Sequence, residues 1–333
     1  MWKSLASLLP FIGLVTACAP TTTSGHGVTG SADLGEAHAP APMVDMASQD
    51  TSCGGQQFTV TRVQPNVFLV IDRSGSMGDS ISASSNTSKW DDLKNAVSSL
   101  VTGFDSQIRL GMSLFNSDGN CGAGKIDTAL GPMNGAMVSS ELAATQPGGN
   151  TPTASTLAAI ASSANLSDPT RDNIVVLATD GQPNCGDTDV AGKIDTLYNA
   201  TPSVKTYVIG VGDGTSSNPD LLNAWAVAGH TDRTGGTKYY QSNSAQDLQS
   251  AFQTIAGGIV SCTFVLSSTP PDPTQLDVYL NQTPVAADPA NGFSYSDSPA
   301  QITLNGAACD TLKNDSTQKL GVVYGCPGVP PIN

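Results

Sequence analysis

Oxygen-bearing side chains follow two apolar segments of the chain in a pattern that suits a hard metal ion. The first apolar run ends in Asp72, and Ser74 and Ser76 follow at alternate positions, which makes an Asp-x-Ser-x-Ser motif. The second run leads to Asp180 within a Thr-Asp-Gly sequence. Mg²⁺, Mn²⁺ and Ca²⁺ prefer carboxylate and hydroxyl oxygens as ligands, whereas soft metals do not prefer such oxygens. The two segments therefore indicate a site for a hard divalent cation.

A third segment with hydroxyl groups lies between these two. The turn sequence 148–153 contains two glycines and two threonines and leads into a segment of helical spacing. Taken in chain order, the three segments resemble the von Willebrand factor type A family, whose metal-ion-dependent adhesion site combines an Asp-x-Ser-x-Ser motif, a loop threonine and a Thr-Asp-Gly turn. The resemblance covers residues 57–260. It implies five metal-site residues, with Thr153 as the alternative for the threonine: Asp72, Ser74, Ser76, Thr151 and Asp180.

The resemblance also implies a function. In the family's topology the strands that end at Asp72 and Asp180 are neighbours at the edge where open α/β sheets bind ligands. A cation that is held mainly by neutral hydroxyls stays strongly electrophilic, which leaves a position for an Asp or Glu carboxylate of a protein partner. We therefore expect a binding or adhesion module that depends on Mg²⁺, Mn²⁺ or Ca²⁺. The alternative is a structural envelope lipoprotein in which the metal only stabilises the fold.

Sequence motifs for catalysis are weak by comparison. A Ser-His-Asp triad has only His230 to use, because His26 and His38 lie in a polar N-terminal stretch, and the chain contains no Gly-x-Ser-x-Gly elbow. The glycine-rich sequence 210–214 lacks the last glycine of a dinucleotide-binding motif. We expect a protein that is not an enzyme, and a hydrolase that uses His230 is the remaining catalytic alternative.

The elements that position these residues follow an alternating pattern. From residue 57 onward, β-type runs alternate with segments of helical period, which is typical of a doubly wound sheet. Helices are predicted over 90–104, after Asn218-Pro219, and from a capping box formed by Ser244 and Asp247. The predicted strands of the sheet are 58–63, 67–72, 108–116, 125–130, 174–179, 205–211 and 238–241.

Composition divides the chain into four parts. Residues 1–17 carry one lysine, a short apolar run and small residues, as a secretory signal does, and residues 18–52 have the composition of a flexible tether. We expect residues 53–261 to form an α/β domain with a mostly parallel sheet flanked by helices. Residues 262–333 predict a small disulfide-bearing β-rich module. Its predicted strands are 263–266, 276–280, 301–304 and 320–324.

The N-terminus also predicts export and anchoring. The sequence Val-Thr-Ala-Cys that ends at Cys18 resembles the bacterial lipobox, which implies cleavage before Cys18 and lipidation of this residue. No other apolar stretch approaches the roughly 20 residues of a membrane span, so the lipid is the only membrane attachment that we expect. The protein should be secreted across the inner membrane and anchored in the bacterial envelope, at the outer membrane or cell surface. A formal net charge of -14 excludes nucleic acid as an expected partner.

The other cysteines predict disulfides. Their even number suits an oxidising compartment, and the lack of Cys-x-x-Cys and His-x-x-x-His spacing disfavours zinc. In the arrangement that the family implies, the segments with Cys121 and Cys185 leave the sheet at the edge of Asp72, so we predict that these two are bonded. The remaining four allow three pairings, of which we prefer Cys262 with Cys326. The six residues are Cys53, Cys121, Cys185, Cys262, Cys309 and Cys326.

Overall fold

The architecture is taken from a computed structural model of the chain. The predicted signal peptide, the tether and Cys18 lie outside the described residues. In the described part of the chain, no helix is long and apolar enough to cross a bilayer. The structure describes residues 55–186, 188–213, 215, 218–314 and 318–325.

Fourteen strands and seven helices are found in the described residues. The strands are β1 (Gln56–Phe58), β2 (Val60–Arg62), β3 (Asn66–Asp72), β4 (Arg109–Phe115), β5 (Thr128–Pro132), β6 (Asn173–Thr179), β7 (Val204–Val211), β8 (Tyr240–Ser242), β9 (Thr263–Leu266), β10 (Leu276–Leu280), β11 (Thr283–Val285), β12 (Phe293–Asp297), β13 (Ala300–Leu304) and β14 (Leu320–Tyr324). The helices are α1 (Lys89–Phe104), α2 (Gly135–Ala144), α3 (Thr153–Ser163), α4 (Val190–Tyr198), α5 (Pro219–Ala228), α6 (Ala245–Ile259) and α7 (Gly306–Asn314).

The central sheet has six strands in the order β5-β4-β3-β6-β7-β8. All neighbours are parallel except β4 and β5, which are antiparallel. From β3 the chain adds β4 and β5 on one side of the sheet, and then adds β6, β7 and β8 on the other side of β3. The direction in which strands are added therefore reverses between β3 and β6. This arrangement confirms the predicted doubly wound, mostly parallel sheet with flanking helices.

Burial of β3 on both faces explains its unbroken apolar sequence. Val67, Leu69 and Ile71 pack with side chains of α1, α2 and α6 on one face. Phe68 and Val70 pack with α3, α4 and α5 on the other. Because successive side chains of a strand point to opposite faces, a strand covered by helices on both sides needs apolar residues at every position. Two large cores therefore fix the strand that ends in the first site residue.

The C-terminal region forms a second β structure. Its two antiparallel sheets have the orders β1-β14-β10-β11 and β12-β13-β9-β2, and the four strands predicted for this module are confirmed. The prediction of 58–63 as a strand of the central sheet was wrong, because this segment forms β1 and β2 and pairs with β14 and β9. The side chain of Phe58 is buried in the module's apolar core, which provides the physical reason.

The module contains a disulfide between Cys262 and Cys309, which are 47 positions apart in sequence. The preferred pairing of Cys262 with Cys326 was therefore wrong. The amide of Leu304 donates to the carbonyl of Cys262, which holds the start of β9 beside the end of β13, and α7 with Cys309 follows directly. Cys53 and Cys326 lie outside the described residues.

Candidate metal centre

The two predicted aspartates lie at the carboxyl ends of adjacent parallel strands. β3 ends at Asp72, β6 ends at Thr179 one residue before Asp180, and the register pairs Ile71 with Ala178. The family resemblance implies that these two strands are neighbours, and their pairing confirms this. Ligand sites of open α/β sheets form at this edge, where the strand order reverses and the loops diverge.

Asp72 is fully buried and accepts a hydrogen bond on each carboxylate oxygen. Its Oδ1 accepts from the amide of Ser74 at 2.7 Å, and its Oδ2 accepts from the hydroxyl of Thr179 at 2.7 Å. Burial, followed by the neighbouring charge of Asp180, raises the pKa of Asp72 from 3.8 to about 6, although the hydrogen bonds from Thr179 and Ser74 act in the opposite direction. A cation beside Asp72 would favour its charged form.

The serines of the motif connect the two aspartates. The Oγ atoms of Ser74 and Ser76 are 3.3 Å apart, and Ser76 Oγ donates to Asp180 Oδ1 at 2.9 Å. A short 3₁₀ turn, Gly75–Gly78, holds this segment. The structure thus brings four of the five predicted residues into one chain of contacts, each no longer than 3.3 Å.

The fifth residue, Thr151, is held at the site through its backbone. Its amide donates to Asn184 Oδ1 at 2.8 Å, which connects it to the loop after Asp180. The carbonyl of Gly149 accepts from the amide of Gly75 at 3.0 Å, which connects it to the serine motif. The alternative residue, Thr153, is the first residue of α3, and its hydroxyl makes no hydrogen bond within the described part of the chain.

Two residues that we did not predict anchor the loops around the site. Asn116 donates to the carbonyls of Gly148 and Asn150, at 3.0 and 2.6 Å. The guanidinium of Arg73 donates to the carbonyls of Asn116 and Gln146, at 2.8 and 3.3 Å. These bonds join the ends of β3 and β4 to the threonine loop. Such long-range partners leave no local pattern in the sequence.

A further missed residue is Lys89, the first residue of α1. Its Nζ lies 2.9 Å from Asp180 Oδ2, and it also donates to the carbonyl of Ser76 at 3.3 Å. A cation at the first position of a helix is unfavourable, because the amino end of a helix carries partial positive charge. That unfavourable position was the available sequence signal.

The predicted disulfide between Cys121 and Cys185 is confirmed, and the two cysteines are 64 positions apart in sequence. It joins the loop that follows β4 to the loop that follows Asp180. Asn150 of the threonine loop donates to Asn120 Oδ1 at 2.8 Å, next to this bond. Three loops at the candidate site are therefore tied together by a covalent bond and by hydrogen bonds.

The donor set fits a hard divalent cation. The carboxylates of Asp72 and Asp180 and the hydroxyls of the serines and Thr151 are all oxygen donors. These five side chains would hold the ion, and each of the four carboxylate oxygens, which accepts a hydrogen bond, still has a lone pair for the ion or for a water bound to it. Among the described residues, no group of three or more His, Cys, Asp or Glu side chains could hold a metal. The oxygen donors at the site are the type that hard cations prefer.

The structure does not bring His230 to this site. The residue follows α5, and the adjacent carbonyl of Gly229 accepts from the amide of Thr206 near the amino end of β7. Asp72 stands at the opposite, carboxyl edge of the sheet. The imidazole of His230 instead stacks on the ring of Tyr198, with ring centroids 3.4 Å apart. A triad of His230 with Asp72 or Asp180 is therefore not formed.

Fold and site together define a doubly wound α/β protein with an oxygen-rich site at the point where the strand order reverses. The family model of the von Willebrand factor type A domain matches residues 66–254. This match covers more than half of the chain, and the chain belongs to the von Willebrand factor type A domain family. A search of the curated proteins found no match.

Several solved structures are similar at low identity. The pilus adhesin SpaC from Lactobacillus rhamnosus GG shares 14% identity with a TM-score of 0.47, over 79% of this chain and 39% of that chain. Proximal thread matrix protein 1 from the mussel byssus, with a zinc-occupied MIDAS motif, shares 16% identity with a TM-score of 0.44, over 60% of this chain and 47% of that chain. The PilB minor pilin from Streptococcus sanguinis shares 14% identity with a TM-score of 0.40, over 60% of this chain and 62% of that chain. This chain thus spans less than half of the first two.

Proposed function

We propose that this protein is a divalent-cation-dependent binding or adhesion module that captures an Asp or Glu carboxylate of a protein partner. The observation that carries the proposal is the chain of contacts from Asp72 through Ser74 and Ser76 to Asp180, at the carboxyl edge of adjacent strands. Mg²⁺, Mn²⁺ or Ca²⁺ suits these oxygens. When bound, the cation supplies a Lewis-acidic position for an outside carboxylate, while the protein's own residues hold the hydroxyls in place.

Titration calorimetry with Mg²⁺ tests the cation site. We expect wild-type protein to bind, and Asp72→Ala to lose measurable binding while its far-UV circular dichroism stays the same, because Asp72 lies at a strand end above two intact cores. Asp79→Ala is the matched control, since this exposed aspartate lies on the same loop. Unaltered Mg²⁺ affinity of Asp72→Ala would overturn the site assignment.

The threonine assignment has its own pair of variants. Thr151→Val and Thr153→Val both remove one hydroxyl and keep the side-chain volume close to that of threonine. If Thr151 holds the cation, Thr151→Val weakens Mg²⁺ binding and Thr153→Val does not. The reverse pattern would move the role to Thr153.

Partner binding is tested with a glutamate-rich peptide on immobilised protein. We expect retention of the peptide with Mg²⁺ and its release by EDTA, with an unchanged circular dichroism spectrum in EDTA. If Mg²⁺ binds and raises the melting temperature, but no acidic peptide is retained, the protein is instead a structural lipoprotein that the metal stabilises. Turnover that disappears in His230→Ala would favour the hydrolase alternative.

We also propose that the protein is exported and lipid-anchored through Cys18. Two disulfides in the described residues support an oxidising compartment. Cys18→Ala should move the protein from the membrane fraction to the soluble fraction of the envelope and remove the lipid mass from its N-terminal peptide. Membrane fractionation like that of wild type would refute the lipid anchor.

A further inference from the structure

An ammonium group is buried within the candidate metal site. Lys89 Nζ is 2.9 Å from Asp180 Oδ2, and the two side chains are only 9% and 1% exposed. The second oxygen of Asp180 accepts from Ser76, and the carbonyl of Ser76 also accepts from Lys89. The lysine therefore contacts the same aspartate and the same serine that are proposed to bind the cation.

The surrounding chain is shaped to hold this lysine. Gly212 packs on its aliphatic stem, and a Cβ at Gly212 would lie 2.7 Å from Lys89 Cε. The amide of Lys89 donates to the carbonyl of Asp79 at 2.8 Å, and the side chain of Ser88 caps the helix from the preceding position. Burial of an ammonium and its position at the amino end of a helix both oppose this placement. The contact with Asp180 is what offsets these costs.

We propose that Lys89 is the internal counter-ion of the metal site, which compensates the charge of Asp180 in the cation-free protein and opposes the divalent cation when it binds. The inference rests on the proposed cation-binding function and deepens it. Two carboxylates, Asp72 and Asp180, face the site, and the ammonium takes up the charge of one of them.

Two properties follow from this charge balance. The loops at the carboxyl edge stay folded without a cation, because the ammonium satisfies Asp180. The cation is held less tightly than two uncompensated carboxylates would hold it, and it keeps more of its own charge for an outside carboxylate. Lys89 thus lowers the affinity for the cation and raises the affinity of the bound cation for a partner carboxylate.

Neutral replacements of Lys89 test the inference. Lys89→Met keeps the aliphatic stem that packs on Gly212, and Lys89→Gln also retains a hydrogen-bond donor. Calorimetry with Mg²⁺ should show affinity raised on the order of tenfold or more in both. The melting temperature of both variants in EDTA should be lower than that of wild type. The increase in melting temperature that Mg²⁺ produces should be larger than in wild type.

Lys94→Met is the matched control, because Lys94 lies on the same helix and pairs with Asp91 away from the site. It should match wild type in both measurements.

The outcomes separate this inference from the proposed function. A variant that folds only with Mg²⁺ supports the counter-ion role. If Lys89→Met and Lys89→Gln bind Mg²⁺ no more tightly than wild type, the counter-ion role is overturned. Binding of Mg²⁺ by the wild-type protein would still support the cation site in that case. If wild type binds no Mg²⁺ but Lys89→Met does, the proposed function fails and the counter-ion role stands. If neither protein binds, both proposals fail.

Discussion

The disulfide between Cys121 and Cys185 gives a prediction whose magnitude follows from the chain length that it closes. These two cysteines are 64 residues apart in sequence. In the chain-entropy model, a crosslink over this length restricts the unfolded chain enough to stabilise the folded state by about 4 kcal/mol. Replacing both residues by alanine should lower the free energy of unfolding by about that amount. Urea unfolding followed by tryptophan fluorescence measures the loss.

The second disulfide provides the control for a local effect on the site. Cys262 and Cys309 are 47 residues apart, so the same model also gives about 4 kcal/mol for their removal. The two double variants should therefore lose similar stability. Only loss of the Cys121–Cys185 bond frees the loops around Asp180, so only that variant should show weaker Mg²⁺ binding and faster hydrogen exchange over residues 180–186.

Two results would refute this reasoning. A stability loss below about 1 kcal/mol for Cys121→Ala with Cys185→Ala would show that the crosslink does not act through the unfolded chain. Equal loss of Mg²⁺ affinity in the two double variants would show that the bond near the site has no local role.

Three further predictions concern the site and the remaining cysteines. Because the pKa of Asp72 is raised to about 6, the folded protein holds a proton between pH 4 and 6 that the unfolded chain releases. Unfolding free energy in EDTA should therefore fall by about 3 kcal/mol as pH rises through this window, and the fall should be absent in Asp72→Asn. Gly149→Ala should destabilise by about 1–3 kcal/mol in thermal melts and weaken Mg²⁺ binding, because φ is +82° and a Cβ would meet the carbonyl of Gly119; wild-type behaviour would contradict this. Cys53 and Cys326 should be bonded to each other, and non-reducing peptide mapping that finds either thiol free would contradict this pairing.

Local sequence patterns determined most of the central domain. The apolar run before Asp72 predicted a buried strand, because a strand covered on both faces has no exposed position. The capping box also predicted the start of α6, and the side chain of Ser244 does accept from the amide of Asp247. Such signals are readable because the interacting residues lie within a few positions of each other. The five proposed site residues came from short motifs too, but through the resemblance of those motifs to the von Willebrand factor type A family.

Tertiary structure alone decided which distant segments meet. Phe58 precedes the central sheet in sequence but lies in the core of the C-terminal module, and Cys262, just before β9, pairs with Cys309 of α7 in the same core. Lys89 reaches Asp180 across 91 positions of the chain. These contacts depend on how helices and sheets pack, and packing energy depends on shape and burial rather than on sequence spacing. The motif therefore predicts which oxygens form the site, whereas only the folded chain shows the charge placed against them.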